Sequence, residues 1–243
     1  MLMVCSEWQS IKLLVFFAGI IGVEEQAAMV IILQLVNQTF MINYGMQESA
    51  TILIRKRLEV ANVPLAKRYA AVITCLTLLV AFISSAVLYN YQDELIGMFT
   101  SDQVVASICI AVCPFYFYYG NLIDAFMVSL QGMIRALGIP SLAFLITSSN
   151  LYLISLPLAY AFCFIAEMGV LGLIYGQYCG VSSMTVCLLV AVLVANWQKF
   201  AIQAQRRLRT DSAVFLDPFE GEHDGLRLSI CSAEVEDRQT VQF

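Results

Sequence analysis

One acidic residue, Asp124, lies inside a long apolar run that extends from Val104 to Pro140. No basic residue stands within about two helical turns of it along the chain. The next charge is Arg135, which precedes the helix breakers Gly138 and Pro140. An ionised acid at the centre of a membrane span costs several kcal/mol. This placement therefore predicts a functional site at which the acid meets a proton or a cation.

A second acid, Glu7, lies close to a base, Lys12, in the first apolar run of the chain. Five residues apart on a helix, the two side chains would point about 140° apart. They are therefore not expected to pair with each other, and each should face a different partner.

Polar and aromatic residues recur inside the apolar runs, and they suggest a polar cavity. Amides at membrane depth either bond across helices or line a wet cavity. A tyrosine at that depth can hold an organic cation by cation–π attraction, although packing between helices is the alternative for any one of them. The candidate cavity-lining residues are Gln34, Asn37, Tyr119, Asn150 and Lys12.

The composition is that of an integral membrane protein. The chain is 60% hydrophobic and 13% charged, with a mean hydropathy of +0.79, whereas soluble domains average about 45–50% apolar and about 25% charged residues.

Short basic clusters that flank spans argue against nucleic-acid binding. The lone histidine, His223, lies in the polar tail, and no nucleophile–base set, phosphate loop or metal-ligand spacing is present, so no enzyme, cofactor or metal is predicted. Seven cysteines in apolar runs are interpreted as small hydrophobic residues.

Apolar runs of about 20 residues are long enough to cross a bilayer as helices. Six such runs predict an all-α membrane protein whose transmembrane helices form one lobe, residues 1–197. The remaining residues, 198–243, are first basic and then acidic, and after Thr210 they have the composition of a disordered tail. The predicted spans are Leu2–Gly22, Gln26–Gly45, Ala70–Leu88, Val104–Leu130, Leu142–Phe164 and Val170–Ala195.

The basic residues are distributed unevenly between the loops. Twelve of the 13 Lys and Arg residues fall in segments that share one side of a six-span topology, whereas the opposite loops carry acids and no base. Cytoplasmic loops are enriched in Lys and Arg. The pattern therefore predicts that both termini are cytoplasmic, and it leaves the plasma membrane and a vacuole-like organelle membrane equally open.

Several short motifs follow one another in an order typical of one transporter family. They are MVCSEWQS at 3–10, MFTSDQVV at 98–105, the pair Asp124 and Arg135 with Gly132 and Gly138, LYLISLPLAYAF at 151–162 and GVLGLIYGQYCG at 169–180. Over residues 1–195 this ordered set resembles the C-terminal six-helix half of the multidrug and toxic compound extrusion (MATE) transporters, particularly those of eukaryotes.

The resemblance implies a secondary active antiporter that exports organic cations or xenobiotics in exchange for protons or sodium. Two six-helix lobes would enclose its central cavity. On this resemblance Glu7 and Asp124 match acidic positions that bind the proton or cation, and Gln34 matches a position that is an acid or amide in relatives. The implied partners are the lipid bilayer, an organic cation, the coupling ion, and either a missing N-terminal lobe or a second copy of the chain.

The chain departs from the family pattern at several positions. Lys12 stands where relatives commonly have a second acid, Ala136 replaces a glycine, and LIRKRLEVAN at 53–62 replaces a glycine-rich stretch. Two alternatives therefore stay open. One is a truncated, non-transporting or regulatory membrane fragment, and the other is a six-span carrier or channel of another family. For Asp124 itself, the alternative is that it only pairs with Lys12 and holds the bundle together.

Overall fold

The computed structural model describes residues 2–60 and 62–205, and the described residues are helical with short connections. Side chains are described from Ser6 onward. The helices are α1 (Leu2–Ile21), α2 (Val23–Glu59), α3 (Val63–Asn90), α4 (Gln92–Phe99), α5 (Gln103–Ala136), α6 (Pro140–Ile165) and α7 (Gly169–Val194).

Five of these helices, α2, α3, α5, α6 and α7, are long and apolar enough to cross a membrane. They confirm the predicted all-α membrane fold and cover five of the six predicted spans. The first predicted span coincides with α1, a helix of 20 residues whose first side chains lie outside the described part of the chain. The count of six spans therefore stays a prediction.

The helix boundaries follow from local sequence signals. Asn62 caps α3 by accepting a hydrogen bond from the backbone N–H of Leu65 at 3.2 Å. Asp102 caps α5 in the same way through Val104 N at 2.9 Å. Gly138, at φ 81°, ends α5 in a left-handed conformation that other residues rarely adopt, and Pro140 then begins α6.

α5 lies at the centre of the bundle and packs against α2, α3 and α7. Its second half presents a continuous buried surface that includes Ala125, Val128, Leu130 and Ile134. α6 and α7 approach each other closely because α7 carries glycines at four-residue spacing, and a Cβ at Gly176 would lie 2.3 Å from the backbone of Ala159. Small residues at such a spacing allow two membrane helices to approach closely.

Two of the long helices are widened locally into π turns. The stretch Tyr116–Gly120 follows Pro114 in α5, and the stretches Leu151–Ser155 and Ala161–Ile165 flank Pro157 in α6. Proline lacks a backbone N–H, so Pro114 and Pro157 each leave a carbonyl of the preceding turn without its usual donor. In α5 the backbone that follows Pro114 takes the form of a π turn.

The first residues of the predicted tail are ordered. Residues 197–205 are helical, and Trp197 and Ala201 are buried against the bundle. Lys67 lies over the Trp197 ring at 5.8 Å from its centroid, which ties this helix to the start of α3. The predicted tail, 198–243, therefore begins as a docked helix over 198–205, and the disorder expected after Thr210 lies outside the described residues.

Candidate functional site

A cavity with an open mouth and a volume of about 130 Å³ lies between α1, α2, α5 and α7. Its walls are mostly apolar and aromatic, and they include Trp8, Phe40 and Met127. Glu7 enters the cavity from α1 and Asp124 enters it from α5. The structure thus brings together the two carboxyl groups that the sequence placed 117 residues apart.

Asp124 is 6% exposed and accepts a hydrogen bond from the hydroxyl of Tyr178 on α7 at 3.0 Å. The ion pairs in the described residues are Arg55–Glu59 and Arg135–Glu48, so Asp124 is not paired with Lys12 there. Lys12 is instead exposed. The interpretation of Asp124 as a bundle-holding partner of Lys12 is therefore wrong, and a neutral hydroxyl supports this carboxyl group.

The π turn in α5 places a second tyrosine beside Asp124. Tyr116 and Asp124 are eight residues apart, which would separate them by about 80° around a regular α-helix. A π turn accommodates one extra residue and reduces that separation to about 20°. Tyr116 consequently lines the same cavity, where its hydroxyl contacts Thr39 Oγ1 and its ring lies 6.0 Å from that of Tyr178.

Glu7 is half-buried and is held by an amide rather than by a cation. Gln131 Nε2 donates to Glu7 Oε1 at 2.9 Å. The Gln131 carbonyl oxygen accepts from Gln47 Nε2 at 3.3 Å, and Gln131 Nε2 also lies 3.5 Å from the hydroxyl of Thr147. Four helices, α1, α2, α5 and α6, thus meet at one buried glutamine.

One turn further along α5, Arg135 forms an ion pair with Glu48 on α2 at 2.9 Å. The guanidinium group also lies over the ring of Tyr44, 5.9 Å from its centroid. This pair and the Gln47–Gln131 amide pair join α2 to α5 at neighbouring levels. The polar residues at the end of the second predicted span therefore serve mainly to fasten α2 to α5.

The other candidate cavity residues fall in different places. Asn37 lines the cavity with Glu7 and Asp124, whereas Gln34 is exposed and does not line it. Tyr119 bonds to the hydroxyl of Ser182 at 2.6 Å and lies in a separate aromatic groove. Asn150 joins α6 to α7 by accepting from Ser183 Oγ at 3.0 Å. Asn150 thus follows the alternative of interhelical bonding that the sequence left open.

Sequence reasoning missed Tyr178, Gln131 and the role of Tyr116. Gln131 and Tyr178 are single polar groups within apolar helices, and hydropathy alone does not indicate which neighbour they reach. The spacing of a regular α-helix places Tyr116 and Asp124 on different faces, because that spacing takes no account of the π turn between them. No group of three or more His, Cys, Asp or Glu side chains able to hold a metal occurs within residues 2–60 and 62–205.

A bundle of membrane-spanning helices around a cavity with buried carboxyl groups is the arrangement of a membrane transport protein. Residues 1–161 match the family model MatE, and the chain belongs to this family. The resemblance found in the sequence motifs is thereby confirmed.

Similar proteins carry the names of multidrug transporters. Multidrug and toxin extrusion protein 1 of Xenopus tropicalis is 30% identical over 208 residues, which cover 85% of this chain and 36% of that protein. The Homo sapiens protein of the same name is 27% identical over 205 residues, which cover 84% of this chain and 36% of that protein. The chain therefore spans about a third of the length of these curated relatives.

Two solved structures share the fold. The crystal structure of the eukaryotic MATE transporter AtDTX14 matches with a TM-score of 0.79 at 22% identity, over 85% of this chain and 46% of that one. The Vibrio cholerae MATE transporter VcmN in its bent form matches with a TM-score of 0.72 at 16% identity, over 89% of this chain and 53% of that one. This chain thus corresponds in extent to about half of a solved MATE transporter.

Proposed function

We propose that the chain is the C-terminal six-helix lobe of a secondary active transporter that exports organic cations in exchange for protons or sodium. The observation that carries the proposal is the shared cavity of Glu7 and Asp124, in which both carboxyl groups are held by neutral donors. The names of the relatives, multidrug and toxin extrusion proteins, support the same activity.

The cavity has the chemical features that an organic cation requires. Its apolar walls would receive the hydrocarbon part of such a ligand. Tyr116, Tyr178 and Phe40 present aromatic rings to the same space, where they attract a cation. Asp124 supplies the opposite charge, and its support by Tyr178 leaves a negative charge for the ligand to neutralise.

Exchange follows if a proton and the organic cation compete for the same carboxyl group. Protonation of Asp124 removes the negative charge and weakens the attraction for the organic cation. Loss of the proton on the cytoplasmic side restores the attraction, and a rocking motion of two lobes exposes the site to each side in turn. Glu7 acts beside Asp124 as the second proton or cation site.

The second wall of a complete transport pathway would come from another lobe. The described helices cover about half of a solved MATE transporter. We place the second lobe in an N-terminal half of a longer product or in a second copy of this chain. Both termini are proposed to face the cytoplasm of the plasma membrane or of a vacuole-like organelle membrane.

The proposal is tested by the pair of variants Asp124→Asn and Asp102→Asn in cells or vesicles that contain the full chain. Asp124→Asn should abolish efflux of a fluorescent organic cation driven by a proton gradient. Asp102→Asn changes an exposed acid that caps α5, and asparagine caps about as well, so efflux should be unchanged. Membrane insertion, measured by fractionation, should be equal in both variants.

Unchanged efflux in Asp124→Asn would overturn the assignment of Asp124. A wild-type chain that inserts normally but transports nothing would favour the non-transporting fragment. Co-expression with a six-helix lobe of a relative distinguishes a chain that needs a partner from one that has lost activity. An antibody against residues after Thr210 would report the size of the native product under denaturing conditions.

A further inference from the structure

The amides of Gln131 and Gln47 form a chain that begins at Glu7 and ends at a buried oxygen. Gln131 donates to Glu7, and Gln47 donates to Gln131. The other end of the Gln47 amide, its Oε1, is buried and finds no hydrogen-bond partner among the described residues. Gln47 and Gln131 are 1% and 2% exposed. Such an unsatisfied buried acceptor is uncommon and calls for an explanation.

The direction of this chain is dictated by Glu7. An ionised carboxylate only accepts hydrogen bonds, so Gln131 must present its NH₂ group to Glu7. The Gln131 carbonyl then faces Gln47, and Gln47 must in turn present its own NH₂ group. The carbonyl oxygen of Gln47 is therefore forced toward a position without a donor.

The opposite direction would satisfy both ends of the chain. A protonated Glu7 can donate to a reversed Gln131, whose NH₂ group can then donate to the carbonyl oxygen of a reversed Gln47. The NH₂ group of Gln47 would then face the position that now holds the unsatisfied oxygen.

A helix face accommodates an NH₂ group far better than a carbonyl oxygen. Backbone carbonyls can accept a second hydrogen bond, whereas backbone N–H groups inside a helix are already used. Two other amides of the protein donate in this way to the backbone carbonyl four residues earlier on their own helix. Asn90 donates to Ala86 O at 2.7 Å, and Asn150 donates to Ile146 O at 2.8 Å. By the same geometry, an NH₂ group at the end of the chain would donate to a backbone carbonyl of its own helix.

We propose that Gln131 and Gln47 are positioning residues for a proton on Glu7, and that both amides reverse their hydrogen-bond direction when Glu7 gains that proton. The proton enters from the cavity mouth and is held on the Glu7 carboxyl group, and no other bond is made or broken. Because Gln47 lies beside Glu48 and Gln131 lies one turn before Arg135, the reversal occurs directly at the junction of α2 and α5.

Other charged and titratable groups also surround Glu7. Asp124 and Arg135 of α5 interact with it electrostatically, and Arg135 is itself paired with Glu48 of α2. Tyr178 of α7 lines the same cavity, and the hydroxyl of Tyr152 of α6 donates to the backbone of Ser6. None of these groups touches Gln47 through a described hydrogen bond, so a change at Gln47 can reach Glu7 by way of Gln131.

The experiment is an infrared pH titration of the full chain in lipid nanodiscs. The band of protonated carboxyl groups is followed with pH, and the difference from Glu7→Gln isolates the part that belongs to Glu7. Gln47→Met and Gln131→Met keep the length of each side chain and remove its amide. Gln38→Met, at an exposed position of α2, is the matched control.

The two amide variants should shift the midpoint of Glu7 protonation in opposite directions. Gln131→Met removes the donor to the ionised form and should raise the midpoint by about half to one pH unit. Gln47→Met leaves one buried oxygen unpaired in the ionised form, as in the wild type, but it removes the acceptor that the reversed Gln131 needs when Glu7 is protonated. It should therefore lower the midpoint by a similar amount. The double variant should titrate like Gln131→Met alone, because Gln47 acts only through Gln131, and Gln38→Met should titrate like the wild type.

Shifts in the same direction, no shift in Gln47→Met, or a Gln47→Met shift that persists in the Gln131→Met background would overturn the proposal. If Gln131→Met does not fold, Gln131→Asn withdraws the amide from Glu7 and carries the same expectation. The titration reads the proton on Glu7 directly. Its outcome is therefore independent of whether the chain transports a substrate.

Discussion

Tyr178 of α7 donates a hydrogen bond to the carboxyl group of Asp124 of α5 over 3.0 Å, and both side chains line the same cavity. The bond joins two helices at a buried acid, so its loss should be felt in stability as well as in ligand binding. A hydrogen bond to a charged group is worth more than one between neutral groups.

We predict that Tyr178→Phe destabilises the chain by about 1.5–3 kcal/mol at a pH at which Asp124 is ionised. The change removes one hydroxyl and leaves the ring in place, so packing is retained. Reversible unfolding in mixed micelles measures the effect, and Tyr160→Phe, at a half-exposed ring, should be neutral. A double-mutant cycle with Asp124→Asn should be non-additive; additive losses would show that the two side chains do not interact.

Asn121 should be far more sensitive to substitution than other asparagines. It is fully buried on α5, where its NH₂ group donates to Ala81 O at 3.0 Å and Ser85 Oγ at 2.9 Å, and its oxygen accepts from Asn43 at 3.0 Å. We expect Asn121→Ala to cost about 2–4 kcal/mol, because the buried amide of Asn43 loses its acceptor.

The control for Asn121 is Asn90→Ala, at an exposed position with one bond to its own helix. Its effect should stay within about 0.5 kcal/mol. Equal losses at the two sites, in the same unfolding assay, would contradict the assignment of Asn121 as the polar junction of α2, α3 and α5.

The two partners of the Arg135–Glu48 pair should respond unequally. The Glu48 side chain is 47% exposed and the Arg135 side chain is 19% exposed. Glu48→Gln should therefore cost less than about 1 kcal/mol, with an effect that shrinks as salt is added. Arg135→Met should cost clearly more, since it also removes the contact with the Tyr44 ring. Thermal unfolding at low and high salt checks both expectations, and equal losses would contradict them.

Glycine-to-alanine substitutions should separate packed glycines from open ones. Gly176→Ala would place a Cβ 2.3 Å from the backbone of Ala159, so we expect a loss of about 1–3 kcal/mol or more. At Gly45, in the middle of α2, an added Cβ would have no atom within 4 Å apart from the adjoining backbone of its own helix, and alanine should stabilise the helix by up to about 1 kcal/mol. The melting temperature of each purified variant, compared with that of the wild type, measures both effects. An unchanged melting temperature in Gly176→Ala would mean that α6 and α7 lie further apart than the structure shows.

Much of the fold could be predicted because it depends on features that are local in sequence. Long apolar runs located α2, α3, α5, α6 and α7, and the signals Asp102, Gly138 and Pro140 lie at the ends of helices. The second predicted span ends at Gly45, but the helix that contains it is longer. The helix continues to Glu59 because good helix formers follow without a proline.

The candidate site could be predicted only in part. Asp124 was found because a carboxyl group in an apolar run is costly without a partner. Its actual partner, Tyr178, lies 54 residues away and has no distinguishing neighbour in sequence. Lys12 was expected near the cavity because it stands where relatives commonly have a second acid, yet its rotation of about 140° from Glu7 leaves it exposed.

The π turn at Tyr116–Gly120 makes the phase of α5 depend on a single residue. Removing one residue, such as the exposed Tyr118, would let the backbone return to a regular α-helix. Everything before the deletion would then keep its present orientation relative to Asp124, whereas a return to a regular α-helix without a deletion would rotate it by about 100°. The π turn thus determines how the aromatic half of α5 is rotated about the helix axis relative to its acidic half. This rotation decides which side chains of α5 line the cavity.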